Sequence, residues 1–115
     1  MNGTKSIQKI EKKIAEIKNE LTNLGPIHPG SLTRQYNVCG KAGCKCKDPQ
    51  KPQRHGPYYK VSYAYGGKFS SRFIPKNKVK EVQVELKNYK RLRKLTEDWI
   101  GLSIRLVKEK RKLED

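Results

Sequence analysis

Three thiols fall within eight residues, Cys39-x4-Cys44-x-Cys46, and an imidazole, His55, follows nine positions after the last. Thiolates and one imidazole are the donors that zinc collects tetrahedrally, at about 2.3 Å to sulfur and 2.0–2.1 Å to nitrogen. The spacing departs from the common Cys-x2-Cys knuckle, so the loop must turn tightly, and Gly40 and Gly43 are placed to allow it. Lys41, Lys45 and Lys47 stand among the thiols and are expected to favour the thiolate form that a metal requires. His55 is the expected fourth ligand because it lies in the same loop, ahead of Gly56-Pro57; His28 is its rival. Ordinary buried thiols and redox chemistry are the competing readings. Catalytic zinc is disfavoured, because thiolate-rich coordination blunts Lewis acidity and Asp48 is the one carboxylate near the loop. The expectation is therefore a structural Zn2+ site of Cys39, Cys44, Cys46 and His55, with no catalytic residue.

The second chemistry is polyanion binding. Arg34, Tyr36, Lys41, Lys45, Lys47, Lys51, Arg54, Lys60, Tyr63, Lys68 and Arg72 interleave cations with aromatic rings over a short stretch. Lys and Arg neutralise phosphates, and tyrosine rings stack on unpaired bases. Alternating tyrosines in a hairpin serve equally well as core or cross-strand pairs. Farther on, Lys87, Arg91 and Lys94 recur at roughly helical spacing, but Glu97 and Asp98 dilute the stripe, and a solvated helix face explains it as well.

The charge distribution agrees with that chemistry. The chain of 115 residues carries a formal charge of +16. Residues 1–24 net +2, residues 25–75 net +8 with Asp48 as their one acid, and residues 76–115 net +6. A field of one sign over a small surface favours phosphate-rich partners through counterion release. Apolar residues are 34% of the chain, too few for a large core, and a structural metal is a usual remedy in a small module. No apolar run approaches the roughly 20 residues that span a bilayer, and no secretory leader is evident at the start. An odd number of thiols argues against a disulfide framework. A cytoplasmic protein without membrane partners is expected.

These residues need a frame. Ile7, Ile10, Ile14, Ile17, Leu21 and Leu24 are spaced 3-4-3-4-3, a heptad stripe that predicts a helix capped by Thr4 or Ser6 and stopped by Gly25-Pro26. From Asn77 to Leu113 a second stripe runs through Val79, Val82, Leu86, Tyr89, Leu92, Leu95, Trp99, Leu102 and Leu106, predicting one long helix with a weak point at Trp99-Ile100-Gly101. The two arms either pair with each other or zip with another copy of the chain. Between them, Tyr58–Tyr65 and Lys68–Ile74 flank Gly66-Gly67 and predict a hairpin with a two-residue turn. In that register Tyr59, Val61, Tyr63 and Tyr65 share a face with Lys68, Ser70, Arg72 and Ile74. The other face, with Tyr58, Ala64, Phe69 and Phe73, is expected to be the core side. Leu32–Val38 predicts a further strand paired to the hairpin. The fold class is thus α+β: an antiparallel, zinc-stabilised sheet module over residues 26–75, between helical arms at 1–25 and 76–115.

The string Pro29-Gly30-Ser31-Leu32-Thr33-Arg34-Gln35-Tyr36-Asn37-Val38-Cys39-Gly40-Lys41, then Cys44-Lys45-Cys46, His55-Gly56-Pro57-Tyr58-Tyr59 and Arg72-Phe73-Ile74-Pro75, resembles a group of small bacterial and archaeal proteins with a CGKxxCxC…HGPY core and a long helix. The resemblance spans about residues 29 to 95 and leaves the isoleucine heptad outside. It implies that the three cysteines act with His55, and it places such proteins near mobile elements and RNA. The expected function is a non-enzymatic, zinc-stabilised, basic protein that binds structured RNA, preferred over DNA, within a ribonucleoprotein linked to a mobile element. One alternative is a DNA-binding accessory protein of a transposon that dimerises through its arms. Another is a coiled-coil scaffold whose charge is incidental.

Overall fold

The computed structural model describes residues 2–37 and 39–114, and the side chains of Gly3–Tyr36 and Asn37 through Lys112 apart from residue 38. Val38, at the predicted end of the first strand, and the side chain of Leu113 lie outside the described residues. In chain order come helix α1 (Asn2–Thr22), strands β1 (Ser31–Asn37), β2 (His55–Tyr65) and β3 (Lys68–Ile74), and helix α2 (Val79–Glu114). Among the described residues no helix is long and apolar enough to cross a membrane.

The chain divides into two compact units. One joins residues 1–27 to 87–115, and the other is residues 28–86.

In the helical unit the heptad stripe of α1 turns inward. Ile10 and Ile14 are buried, while Ile7, Ile17, Leu21 and Leu24 are half-buried. Opposite them Leu95 of α2 is buried. Asn88 Nδ2 donates to the Pro26 carbonyl at 2.8 Å, Arg91 grips Glu20 with two bonds of 2.7 and 2.8 Å, and the Lys18 ammonium sits 5.2 Å from the centre of the Trp99 ring. Positions 26, 20 and 18 meet 88, 91 and 99, so the arms of one chain pair with each other, antiparallel. Thr4 and Ser6 are not caps; α1 begins at Asn2 and both lie inside its first turns. At its far end Thr22 Oγ1 and Asn23 Nδ2 donate to the carbonyls of Lys18 and Asn19, both at 2.9 Å, adding side-chain bonds to the last turn; the Asn19 carbonyl also accepts from the Asn23 backbone N–H at 3.2 Å. Helix α2 runs unbroken through Gly101.

In the sheet unit the strand order is β1-β2-β3, all antiparallel, with β2 in the centre. Gly66 and Gly67 both take positive φ, 59° and 79°, the backbone that a two-residue hairpin turn needs and that side chains resist. Tyr65 pairs with Lys68 and Tyr59 with Ile74, the register expected from the turn.

The buried face is the opposite of the expected one. Val61 is 1% exposed and packs with Val82 and Leu86 from the first turns of α2, flanked by Leu32 and Ile74. Phe69 and Phe73 face the other way, 76% and 59% exposed. The cause is register across all three strands. Leu32 lies opposite Val61, so three aliphatic residues, one per strand, form a patch that fits the narrow aliphatic row of α2. The phenylalanines find no comparable partner behind β3.

Candidate metal centre

The cysteine loop leaves β1 at Asn37 and returns as β2 at His55, and these two residues are partners across the sheet. The loop is therefore closed at its base before any metal is considered. Inside it, Cys44 N–H donates to the Lys41 carbonyl at 3.4 Å, and a single 3-10 turn at Lys45–Lys47 carries Cys46 inward. Gln53 N–H donates to the Lys45 carbonyl at 2.9 Å and folds the rest of the loop back on that turn. Gly43 supplies the reversal with φ of 76°; Gly40 has ordinary backbone, so the expectation that both glycines are needed holds for one.

This framework gathers Cys39, Cys44, Cys46 and His55, whose ligand atoms all lie within 4.8 Å of one another. Cys44 Sγ is 3.2 Å from His55 Nε2, and Cys39 Sγ is 3.5 Å from Cys46 Sγ. Sulfurs sharing a tetrahedral zinc at about 2.3 Å stand roughly 3.8 Å apart, so the cluster closes on a metal with shifts of no more than about 1 Å in any pair. Cys46 is buried and the other three are half-buried. All three thiols are free of disulfides. Three sulfurs and one nitrogen fill a tetrahedron with no position left for water, so a metal here is held structurally.

The protonation states suit the same use. The Cys39 thiol is lowered to about 6, first by the Lys41 backbone N–H and then by the side chains of Cys44, His55 and Cys46. Cys44 is lowered chiefly by the Cys46 backbone N–H. Burial pushes Cys46 up. His55 is raised by its hydrogen bonds to Cys39 and then Cys44. The groups named as acting on Cys39 are a backbone amide and the cluster itself; the ammonium groups of Lys41, Lys45 and Lys47 are exposed around it.

His28 is elsewhere. Its Nδ1 lies 2.6 Å from the Pro29 carbonyl, its ring stands edge-on to Tyr63 at 4.9 Å, and its backbone N–H donates to the Glu85 carbonyl at 3.0 Å. It is a packing residue at the start of the sheet unit.

The expected cationic residues divide into available and engaged. Lys41, Lys45, Lys47, Lys51 and Arg54 are all exposed along the clasped loop. Arg34 is exposed on β1 with its guanidinium 5.9 Å from the centre of the half-exposed Tyr36 ring. Lys68 and Arg72 are exposed on β3, Lys60 is half-buried on β2, and Lys87 is exposed on α2. Three expected contacts are already occupied. Arg91 is committed to Glu20, Lys94 pairs with Asp98 at 3.1 Å, and the Tyr63 ring is packed against His28. Tyr58, Phe69 and Phe73, expected on the core side, instead share the open face of the sheet. Their shared face was legible in the hairpin register; its exposure was not.

A family model described as a domain of unknown function (DUF6788) matches residues 7–84. The match contains the whole cysteine loop and the sheet, and it begins inside the isoleucine heptad, which is therefore not peculiar to this chain. No curated protein and no solved structure matches the chain.

Proposed function

The chain belongs to the family described as a domain of unknown function (DUF6788), and from its own chemistry we propose that it is a non-enzymatic RNA-binding module clasped by zinc. The observation that carries this reading is the pairing of a convergent Cys3His set with a row of exposed lysines on the same loop. Lysines that repel one another across a short loop are costly to hold together unless a polyanion or a fixed backbone offsets the repulsion. The clasp supplies the fixed backbone, and RNA supplies the anion. Cys39, Cys44, Cys46 and His55 hold the zinc. Lys41, Lys45, Lys47, Lys51 and Arg54 contact phosphates, with Arg34 and Tyr36 at the mouth of the loop. The clasp orders the loop and does no chemistry of its own.

The test is the combined Lys41→Ala, Lys45→Ala, Lys47→Ala variant, compared with the wild type in RNA binding and in zinc content. Full zinc content with RNA affinity lowered at least roughly tenfold, at fixed salt, is expected for three lost phosphate contacts. Unchanged affinity would remove the proposal. It would favour a helical scaffold instead, for which the exposed Ile100, Ile104 and Val107 of α2 are a contact row.

A further inference from the structure

The sheet unit exposes a face that the lysine loop does not account for. Phe69 and Phe73 sit four residues apart on β3 and therefore on one side, 76% and 59% exposed, and Tyr58 of β2 joins them at 42%. The Tyr58 and Phe73 rings meet edge-on, centroids 6.4 Å apart. Large rings left this open on a sheet are uncommon without a partner, since each retains apolar surface that folding would otherwise bury. The cross-strand neighbours keep them open. Ala64 stands opposite Phe69 and is too small to cover it, Ser62 and Ser71 face each other between the two rings, and Lys60 lies opposite Phe73. The strands β1, β2 and β3 contain no Asp or Glu.

We infer that this face is a stacking platform for unpaired RNA bases, with Phe69, Phe73 and Tyr58 taking the bases and Lys60 an adjacent phosphate. The inference deepens the RNA-binding reading above and rests on it. Charge chooses the occupant. A protein partner covering three aromatic rings needs no particular charge, whereas a strand of RNA brings one phosphate per base to a surface that carries a lysine among the rings and no carboxylate. Pairs of rings on a small sheet receive two or three splayed bases in known modes of single-strand recognition. The rings are about 13 Å apart along β3, from four residues at roughly 3.3 Å each, which separates the bases they take by an intervening position at Ser71. Stacking tolerates any base, so the platform selects unpaired over paired RNA rather than one sequence over another. Structured RNA is then bound at its loops and ends.

The experiment measures the affinity of the full chain for a short single-stranded uridine oligonucleotide and for a duplex RNA of equal length. Replacing Phe69→Ser and Phe73→Ser together should weaken single-strand binding at least roughly tenfold, given the strength of base–aromatic stacking, and leave duplex binding unaltered. Tyr65→Ser removes a ring that is 82% exposed on the other side of the hairpin and should change neither. Phe69→Trp should keep the affinity and add a fluorophore that the bound strand quenches, a readout independent of any loss of folding. Unchanged single-strand affinity in the serine pair, equal loss on both RNAs, or no quenching in Phe69→Trp would each overturn the platform. If the lysine-loop variant loses affinity while the serine pair does not, the RNA-binding reading stands and this one falls. A wild-type chain that binds neither RNA defeats both.

Discussion

At the cysteine loop, two protons would compete with any metal that the four ligands hold. Cys39 loses its proton near pH 6 because a backbone N–H and its neighbours stabilise the thiolate, and His55 keeps its proton to a higher pH than an ordinary histidine because thiolates accept from it. Zinc needs Cys39 deprotonated and His55 neutral. Lowering the pH protonates both, and each protonation removes a donor, so acid must release the metal and alkali must retain it. Zinc is expected to be held at about one per chain at pH 7.5 and to be lost only as the pH falls below about 6, the value of the metal-free Cys39 thiol, because the bound metal opposes protonation; a colorimetric zinc chelator reads the release. The same assay separates the histidines. His55→Ala should weaken zinc by more than the roughly 10–100-fold that follows loss of an outer-shell partner, whereas His28→Ala should leave the ratio unchanged. The ligands were legible in the sequence because all four lie in one loop, where short spacing nearly dictates proximity. The source of the thiolate's stability was not, since a backbone N–H aimed at sulfur has no residue type to announce it.

Among the elements, the sheet has one committed face and one open face, and stability should report which is which. Leu86 of α2 is buried against Val61. Leu86→Ala is expected to destabilise the sheet unit by about 2–5 kcal/mol, the usual effect of emptying such a site. Phe69→Ser should stay within about 0.5 kcal/mol of the wild type, as surface changes do. Urea unfolding followed by circular dichroism compares them, and a large loss in Phe69→Ser with none in Leu86→Ala would reverse the assignment of faces. The hairpin and its register were readable from Gly66-Gly67 and the alternating residues. The inward side was misread because two phenylalanines outweigh one valine when a hairpin is considered alone. Only with Leu32 aligned to Val61 and Ile74 nearby does the smaller aliphatic set become continuous.

Over the whole molecule the charge is large but unevenly available. Of the 27 Lys and Arg, two in the helical unit are engaged by acids of the same unit, in the pairs Arg91–Glu20 and Lys94–Asp98, which are about half exposed and contribute little to stability. The sheet and loop carry cations with Asp48 as their lone acid, and that carboxylate accepts from the Gln50 backbone N–H. RNA affinity should therefore fall steeply with salt, on a log–log slope of roughly −0.7 for each phosphate contacted on a single strand. Removing Lys41, Lys45 and Lys47 together should flatten that slope by about 2. Removing Arg91 and Lys94 should barely move it, because their charges already have partners. A titration of affinity against potassium chloride checks both, and an equal effect from the two sets would contradict this division of the charge.

Spacing alone determined much of this protein: the α+β order of elements, the heptad of α1, the hairpin register, the metal-capable Cys3His loop and the basic middle. Each is set by residues near one another in the chain, through helical or strand periodicity, a turn that only glycines make easily, or donors in one short loop. Tertiary structure decided the rest. It paired α1 with the later turns of α2 in one chain, engaged Arg91, Lys94, Tyr63 and His28 in packing, and turned Phe69, Phe73 and Tyr58 outward. Those outcomes depend on contacts between distant segments, where the better-fitting apolar surface wins the core and the larger rings are left exposed.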